Sequence, residues 1–336
     1  MSDQHRIGVD LGGTKIEAVV VDVGRLDAST PSSTDKPTEL ARARVATNRE
    51  RGYEHVLTET RALILEVAKQ AGIDALSTPI GVGMPGSLTH RRADGSRSDL
   101  PLVKNSNTTC LNGQPFHRDL AGIVGRTIAF SNDANCFALA EATWGAARHA
   151  RVAFGVIMGT GVGGGVVIAN EAGVPRAWDG AQGIAGEWGH VVLDPTNGPE
   201  CYCGRRGCIE TFLSGPALER EFERRTGAKR RLSEIASLAH LTGAAADSGA
   251  DSDERRIAKE LLAERMEIFG RALATVIDIL DPDVVVLGGG VSNLDLLYDE
   301  GARAVARWVF NDELGTKIVK HALGDSAGVL GAALLP

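Results

Sequence analysis

The sequence predicts a duplicated α/β architecture with two halves facing a cleft, and three observations lead to it. IGVDLGGTKIEAVVVD near the start and FGVIMGTGVGGGVVIAN in the middle share one layout of strand, Gly/Thr turn and strand. Each is followed by alternating helical and strand-like segments, the pattern of layered α/β domains. The chain is 336 residues long, 43% hydrophobic and 24% charged, enough for two cores.

Taken in order, Ile7–Leu11 and Ile16–Val23 read as strands around the turn Gly12–Lys15, because β-branched residues dominate both. The tract Asp27–Pro37 is polar and reads as a loop, and Arg42–Thr47 as a short strand. Glu54–Ala71 carries Val56, Leu57, Thr60, Leu63, Ile64 and Val67 on one face and predicts a helix. Ile80–Met84 predicts a strand that turns sharply at Pro85-Gly86, followed by a polar loop and an irregular amide-rich segment, Asn105–Phe116. Thr127–Phe130 predicts a strand leading through Ser131-Asn132-Asp133 into a helix that ends near Ala147. Val152–Met158 and Val166–Ala169 predict the second hairpin, with Gly159–Gly165 as its turn. Two helical regions separated by the polar linker DSGADSDE come next, the second being Arg256–Leu280. Asp283–Leu287 predicts a strand running into Gly288-Gly289-Gly290 and a further helix, and Ala327–Leu335 a small-residue helix.

Net charge is −7 with both signs interspersed, so no nucleic-acid-binding face is expected. The start of the chain lacks a signal-peptide pattern, and no apolar run approaches the ~20 residues of a membrane helix, so a cytoplasmic protein is expected. In that compartment clustered cysteines more often hold metal than form disulfides.

Gly159-Thr-Gly161-Val-Gly163-Gly164 formally fits the dinucleotide fingerprint, but that motif must open a helix and here a strand follows. The chain lacks a P-loop motif. Gly/Thr turns at 12–15 and 159–165, with a third glycine turn at 288–290, instead present backbone N–H groups that suit nucleotide phosphates. Asp10 is placed to hold a metal–phosphate complex through water, and Lys15 to meet phosphate charge. Cys201-x-Cys203-x4-Cys208 with His190 upstream has the spacing of a tetrahedral zinc site. Four protein ligands leave no water to activate, so such a zinc is structural. Cys110 and Cys136 read as small buried apolar residues. Asp133 either caps its helix or presents a base, and chemistry alone leaves the two open.

DLGGTK at 10–15, NDAN at 132–135, GTGVGGG at 159–165, GEWGH at 186–190 and CYCGRRGCIE at 201–210 resemble, in that order, the motifs of the ROK family of sugar kinases and repressors. The resemblance covers nearly the whole chain. It implies an actin-like (RNase H-like) ATPase fold with the active site in the interdomain cleft. It implies a small N-terminal α/β domain at 1–125, joined by a C-terminal helix at 322–336, and a large α/β domain at 126–321 carrying a zinc loop at 186–210. It further implies Mg²⁺·ATP-dependent phosphorylation of a hexose, structural Zn²⁺ and a homodimer. Asp133 would be the catalytic base. Gly86, Asn107, Asn132, Glu187, His190 and Glu210 would bind the sugar beside Asp133. ATP would meet Gly8, Val9, Asp10, Leu11, Gly12, Gly13, Thr14 and Lys15 at the first turn. At the second and third it would meet Gly159, Thr160, Gly161, Val162, Gly163, Gly164, Gly165, Gly288 and Gly289. His190, Cys201, Cys203 and Cys208 would hold zinc, and Asp10 the Mg²⁺ indirectly.

Within the family, NSNTTCLNGQPF, CYCGRRGCIETFLSG and DPDVVVLGGGVSN look most like the bacterial fructokinase (manno-fructokinase) branch, with the N-acetylglucosamine kinases a close second. Glucose and mannose are the other sugars considered. The alternative from another class is a sugar-sensing regulator without turnover. The repressor branch adds an N-terminal helix-turn-helix domain, which is not expected here because the first phosphate motif starts within ten residues of Met1.

Overall fold

The computed structural model describes residues 4–24, 37–240 and 251–336. The strands are β1 (His5–Leu11), β2 (Lys15–Asp22), β3 (Thr38–Ala46), β4 (Ile80–Met84), β5 (Ser87–Arg91), β6 (Arg97–Lys104), β7 (Ala129–Asn132), β8 (Val152–Met158), β9 (Val162–Ala169), β10 (Pro175–Ala177), β11 (Val284–Gly288) and β12 (Lys317–Lys320). The helices are α1 (Tyr53–Gln70), α2 (Phe116–Val124), α3 (Asp133–Trp144), α4 (Glu210–Leu213), α5 (Gly215–Thr226), α6 (Leu232–His240), α7 (Asp251–Leu280), α8 (Glu300–Trp308) and α9 (Ala327–Ala332).

The internal repeat of the sequence becomes a repeat of sheets. The first is ordered β3-β2-β1-β4-β7 and the second β10-β9-β8-β11-β12. The two similar segments, β1–β2 and β8–β9, hold equivalent places in them. β1 pairs antiparallel with β2 in the register Leu11↔Ile16 and parallel with β4, and β4 pairs parallel with β7. β4 and β11 are buried along their whole length, which explains why they read as unbroken apolar or glycine runs rather than alternating ones.

Contacts divide the chain into two units, residues 1–155, 165–186 and 322–336 in one, and 156–164 and 187–321 in the other. Residues 126–155 and 165–186, assigned by the sequence to the larger domain, pack with the first unit. The core of that unit joins β1, β2 and β4 to the buried face of α1 and to Phe116 and Leu120 of α2. α9 closes the other face of this sheet at very short range. A Cβ on Gly8 would stand 2.2 Å from the Val329 carbonyl oxygen, and one on Gly81 1.9 Å from that of Ala332. Only glycine fits at such backbone approach. The buried Glu141 of α3 fixes the segment before α9, accepting from the N–H groups of Ala146, Ala322 and Leu323 at 2.8–3.1 Å.

Several boundaries differ from the sequence expectation. The second hairpin turns only at Gly159–Gly161, since Gly163, Gly164 and Gly165 already lie in β9. The polar stretch after Gly86 forms the hairpin β5–β6, with one irregularity between Thr89 and Arg91. α2, β10 and β12 are short elements whose periodicity is too brief to read. α3 ends at Trp144 rather than Ala147, at Gly145. Asp251–Glu254 of the expected linker open α7, and the preceding Asp247–Ala250 lie outside the described residues, as does the loop at 27–36. Gly290 leads into two short 3-10 turns before α8. Among the described residues no helix is long and apolar enough to cross a membrane.

Candidate active site and metal centre

In the first unit, Asp10 is the penultimate residue of β1 and pairs with Gly83 of β4 in register. The turn after it closes through Gly12 N–H donating to the Lys15 carbonyl at 2.9 Å. Thr47 clamps the turn from outside: its hydroxyl donates to the Gly12 carbonyl at 2.7 Å and its N–H to the Thr14 carbonyl at 3.0 Å. Val9 and Leu11 turn their side chains into the core, and Gly8 packs on α9, so these three residues offer the turn no side chain. Lys15 lies 3.4 Å from Glu17, a buried carboxylate that also binds Arg42 and Arg44. Its charge is therefore already engaged by an acid in this structure. Asn107 stands beside the turn, its Oδ1 being 3.2 Å from where a Gly13 Cβ would lie, and Arg49 donates to its carbonyl at 2.6 Å.

β7 runs directly into α3, and this junction carries Asn132 and Asp133. Asn132 is the N-cap, accepting from Ala134 N–H at 2.8 Å, while its amide donates to the Gly86 carbonyl at 3.2 Å. Asp133 Oδ1 accepts from the same Ala134 N–H at 2.8 Å. One Asp133 oxygen thus assists the cap and the other is left over. Burial pushes the Asp133 carboxyl above its ordinary value, against the pull of the Ala134 amide. Asp10 is raised to about 7, first by burial and then by the charge of Asp133, with Lys15 pulling the other way. The fold therefore brings Asp10 and Asp133 within mutual electrostatic reach, and brings Gly86 to Asn132.

Asp179, which no motif marks, completes this junction together with Asn135, the last residue of the NDAN motif. Asp179 Oδ1 accepts from the Ser131 hydroxyl and from Asn135 Nδ2, the latter at 2.9 Å. Asn135 is buried and passes the constraint on, accepting from Val166 N–H of β9 at 3.0 Å.

The second unit holds the remaining candidates. The Gly159–Gly161 turn closes through Gly159 N–H to the Gly161 carbonyl at 2.9 Å. Glu210 accepts from Val162 N–H at 2.9 Å, and a Cβ on Gly161 would fall 2.5 Å from its Oε2. Gly289, at φ +79°, lies against the carbonyl of Met158, so the second and third glycine turns adjoin. Thr160 lies within the second turn, and Gly288 ends β11.

The segment after Glu187 is a small hairpin in its own right. Val192 bridges Cys208, Glu200 bridges Arg206, and Ile209 N–H donates to the Val191 carbonyl at 3.0 Å. These backbone links bring His190 next to residues eleven to eighteen positions away. The ligand atoms of His190, Cys201, Cys203 and Cys208 all lie within 4.8 Å of one another. Cys201 Sγ is 3.6 Å from His190 Nδ1, and Cys203 Sγ is 3.6 Å from Cys208 Sγ. Burial first, then the neighbouring sulfurs, push the Cys208 thiol up to about 12. Three thiols and an imidazole nitrogen around one point fit a tetrahedral Zn²⁺, whose charge favours the thiolate form.

His190 Nε2 meets the hydroxyl of Tyr202 at 2.9 Å, and the two rings pack edge to face. The family resemblance gives His190 to the sugar; in this structure its Nε2 is met by a phenol. Burial raises the Tyr202 hydroxyl above its ordinary range, helped by the charges of Glu210 and Glu187. Cys110 is half-buried rather than buried, whereas Cys136 is fully buried as expected.

Two mixed sheets, each begun by a hairpin with a Gly/Thr turn, are the architecture of the actin-like ATPases. Within that class the chain belongs to the ROK family, whose model matches residues 6–336. It is 34% identical over 337 residues to an N-acetyl-D-glucosamine kinase of Photobacterium profundum, with 98% of each chain covered. It is 32% identical over 339 residues to the N-acetyl-D-glucosamine kinase of Vibrio cholerae serotype O1, again covering 98% of each. Among solved structures, a ROK hexokinase from Thermus thermophilus matches with a TM-score of 0.77 at 32% identity, covering 98% of this chain and 97% of that one. A ROK family glucokinase from Streptomyces griseus, in complex with glucose and AMPPNP, matches with a TM-score of 0.69 at 28% identity, covering 98% of both chains.

Proposed function

We propose that this protein is a cytoplasmic ATP-dependent hexose kinase that phosphorylates the 6-hydroxyl of fructose. The observation that carries the reading is Asp133, a carboxylate at the mouth of α3 with one oxygen uncommitted and its basicity raised by burial. Phosphoryl transfer asks for a positioned nucleophile and charge neutralisation more than for covalent help. The sugar 6-oxygen attacks the γ-phosphorus, the bond to the bridging oxygen breaks, ADP leaves, and Asp133 takes the hydroxyl proton. A base whose pKa is raised toward the working pH accepts that proton more readily. Asn132, hydrogen-bonded to Gly86, would hold a ring hydroxyl, with Asn107, Glu187 and Glu210 as further sugar contacts, and His190 as another where a sugar hydroxyl takes the place of the Tyr202 phenol on Nε2.

The glycine turns at 12–15, 159–161 and 288–289 would receive ATP. Asp10 would hold Mg²⁺ through water, where the ion's charge offsets the repulsion between Asp10 and Asp133. His190, Cys201, Cys203 and Cys208 would hold Zn²⁺, which supplies a structural cross-link and no activated water. A homodimer is part of the same reading.

N-Acetylglucosamine is the second reading, favoured by the N-acetyl-D-glucosamine kinases among the relatives. An ADP-release assay over fructose, N-acetylglucosamine, glucose and mannose separates them. Highest kcat/KM on fructose is the expected result; preference for N-acetylglucosamine replaces the substrate. Binding without ADP release on every sugar makes the protein a sensor and ends the kinase reading.

A further inference from the structure

The chain spends an unusual amount of hydrogen bonding on the five residues from Ser131 to Asn135. Asn132 and Asp133 both use the Ala134 N–H, and Asn132 also ties itself to Gly86. The two flanking residues, Ser131 and Asn135, are both buried, and both donate to a single oxygen of Asp179. Asp179 comes from the turn after β10, more than forty residues later in the chain. Asn135 relays the link to β9 through Val166 N–H. One carboxylate oxygen thus brackets the strand-to-helix junction on both sides of Asp133.

We propose that Asp179 is a positioning residue: its Oδ1 clamps Ser131 and Asn135 and so fixes where the Asp133 carboxylate stands. The assignment rests on Asp133 being the base of the reaction. Without the clamp, a buried hydroxyl and a buried amide lose their acceptor, and the junction must rearrange to satisfy them. Asp179 itself is exposed, so its replacement removes hydrogen bonds without opening a cavity in the core. An asparagine at 179 keeps an oxygen at the same place and can still accept both bonds, whereas alanine cannot.

The test is a set of steady-state measurements on Asp133→Asn, Asp179→Ala, Asp179→Asn and Ser131→Ala, with thermal melts to confirm folding. D179A is expected to lower kcat by about ten- to a hundredfold, the scale of a displaced catalytic group, with KM for sugar and ATP little changed. D179N is expected to restore most of that loss, and S131A, which removes one arm, to fall between. Wild-type kcat in folded D179A, alongside an inactive D133N, overturns the clamp and leaves the base assignment intact. Equal losses in D179A and D179N also overturn it, because the acceptor oxygen would then not be what matters. Should D179A fail to fold, S131A decides: unchanged kcat there rejects the proposal. Activity retained in D133N removes the base assignment itself, a different failure.

Discussion

The Asp133 junction and the cysteine hairpin are both turns that carry chemistry-bearing side chains, yet they are held in opposite ways. At the junction every constraint is a hydrogen bond between groups the chain supplies, from the shared Ala134 N–H to the Asp179 clamp. In the hairpin the backbone bridges Val192–Cys208 and Glu200–Arg206 set the outline, while the side chains at its centre are three thiols gathered with His190, Cys201 Sγ against His190 Nδ1 and Cys203 Sγ against Cys208 Sγ. Sulfur is a poor hydrogen-bonding partner, so the three thiols gain little from mutual contact and much from a divalent cation. The first turn is self-sufficient. The second has the donor set of a metal site.

That contrast makes its own tests, the largest effect first. Asp133→Asn should lower kcat by about a thousandfold or more while sugar binding measured by calorimetry persists, since the amide keeps the turn but cannot take a proton. Comparable turnover would put the base elsewhere. Cys203→Ala should strip the metal and lower the melting temperature markedly, because the binding energy of a structural zinc is folding energy. Elemental analysis finding no zinc in wild-type protein would end that account, and D133N should show no such loss of metal.

A subtler test uses pH. Asp10 is raised from its ordinary value to about 7, so its burial contributes stability fully only below pH 4 or so, and that contribution is lost as pH rises through 7. Asp10→Asn should therefore melt higher than wild type at pH 8 by a few degrees, and match it near pH 4. A difference independent of pH would show that Asp10 is ionised without penalty. The smallest effect is expected for Tyr202→Phe, which frees His190 Nε2. Loss of an outer partner of a metal ligand typically weakens metal affinity by about tenfold. Competition with a chromophoric chelator reads this directly, and unchanged release would make the phenol irrelevant to the metal.

Much of this was legible in the residues, and the reason lies in how local each signal is. The repeated hairpins, the apolar stripe of α1 and the strand at 80–84 depend on neighbours in sequence, and all appear. The His/Cys set was readable because sulfur and imidazole at short spacing have few other uses, and the structure gathers the four donors. Asp179 was not readable, since a lone aspartate in a WDG turn looks like any surface residue until the fold places it beside Ser131. The same holds for Tyr202, whose role depends on which nitrogen of His190 it reaches. The place of Lys15 after the glycines points to phosphate, and its pairing with the buried Glu17 two residues later shows only in the fold. Gly8, read as part of the phosphate motif, is also required by contact with α9, more than three hundred residues away, which no local signal shows.

The return of α9 to the first sheet also has a consequence for synthesis. Residues 322–336 supply the helix that covers Gly8 and Gly81 and the amides that satisfy the buried Glu141. A nascent chain emerging from the ribosome can pair β1 with β2 early, but the opposite face of that sheet stays bare until almost all of the polypeptide has been made. Sheets completed by such distant segments fold late and expose apolar surface meanwhile. A chain stopped short of residue 322 would thus leave the first unit without a lid, however complete its motifs.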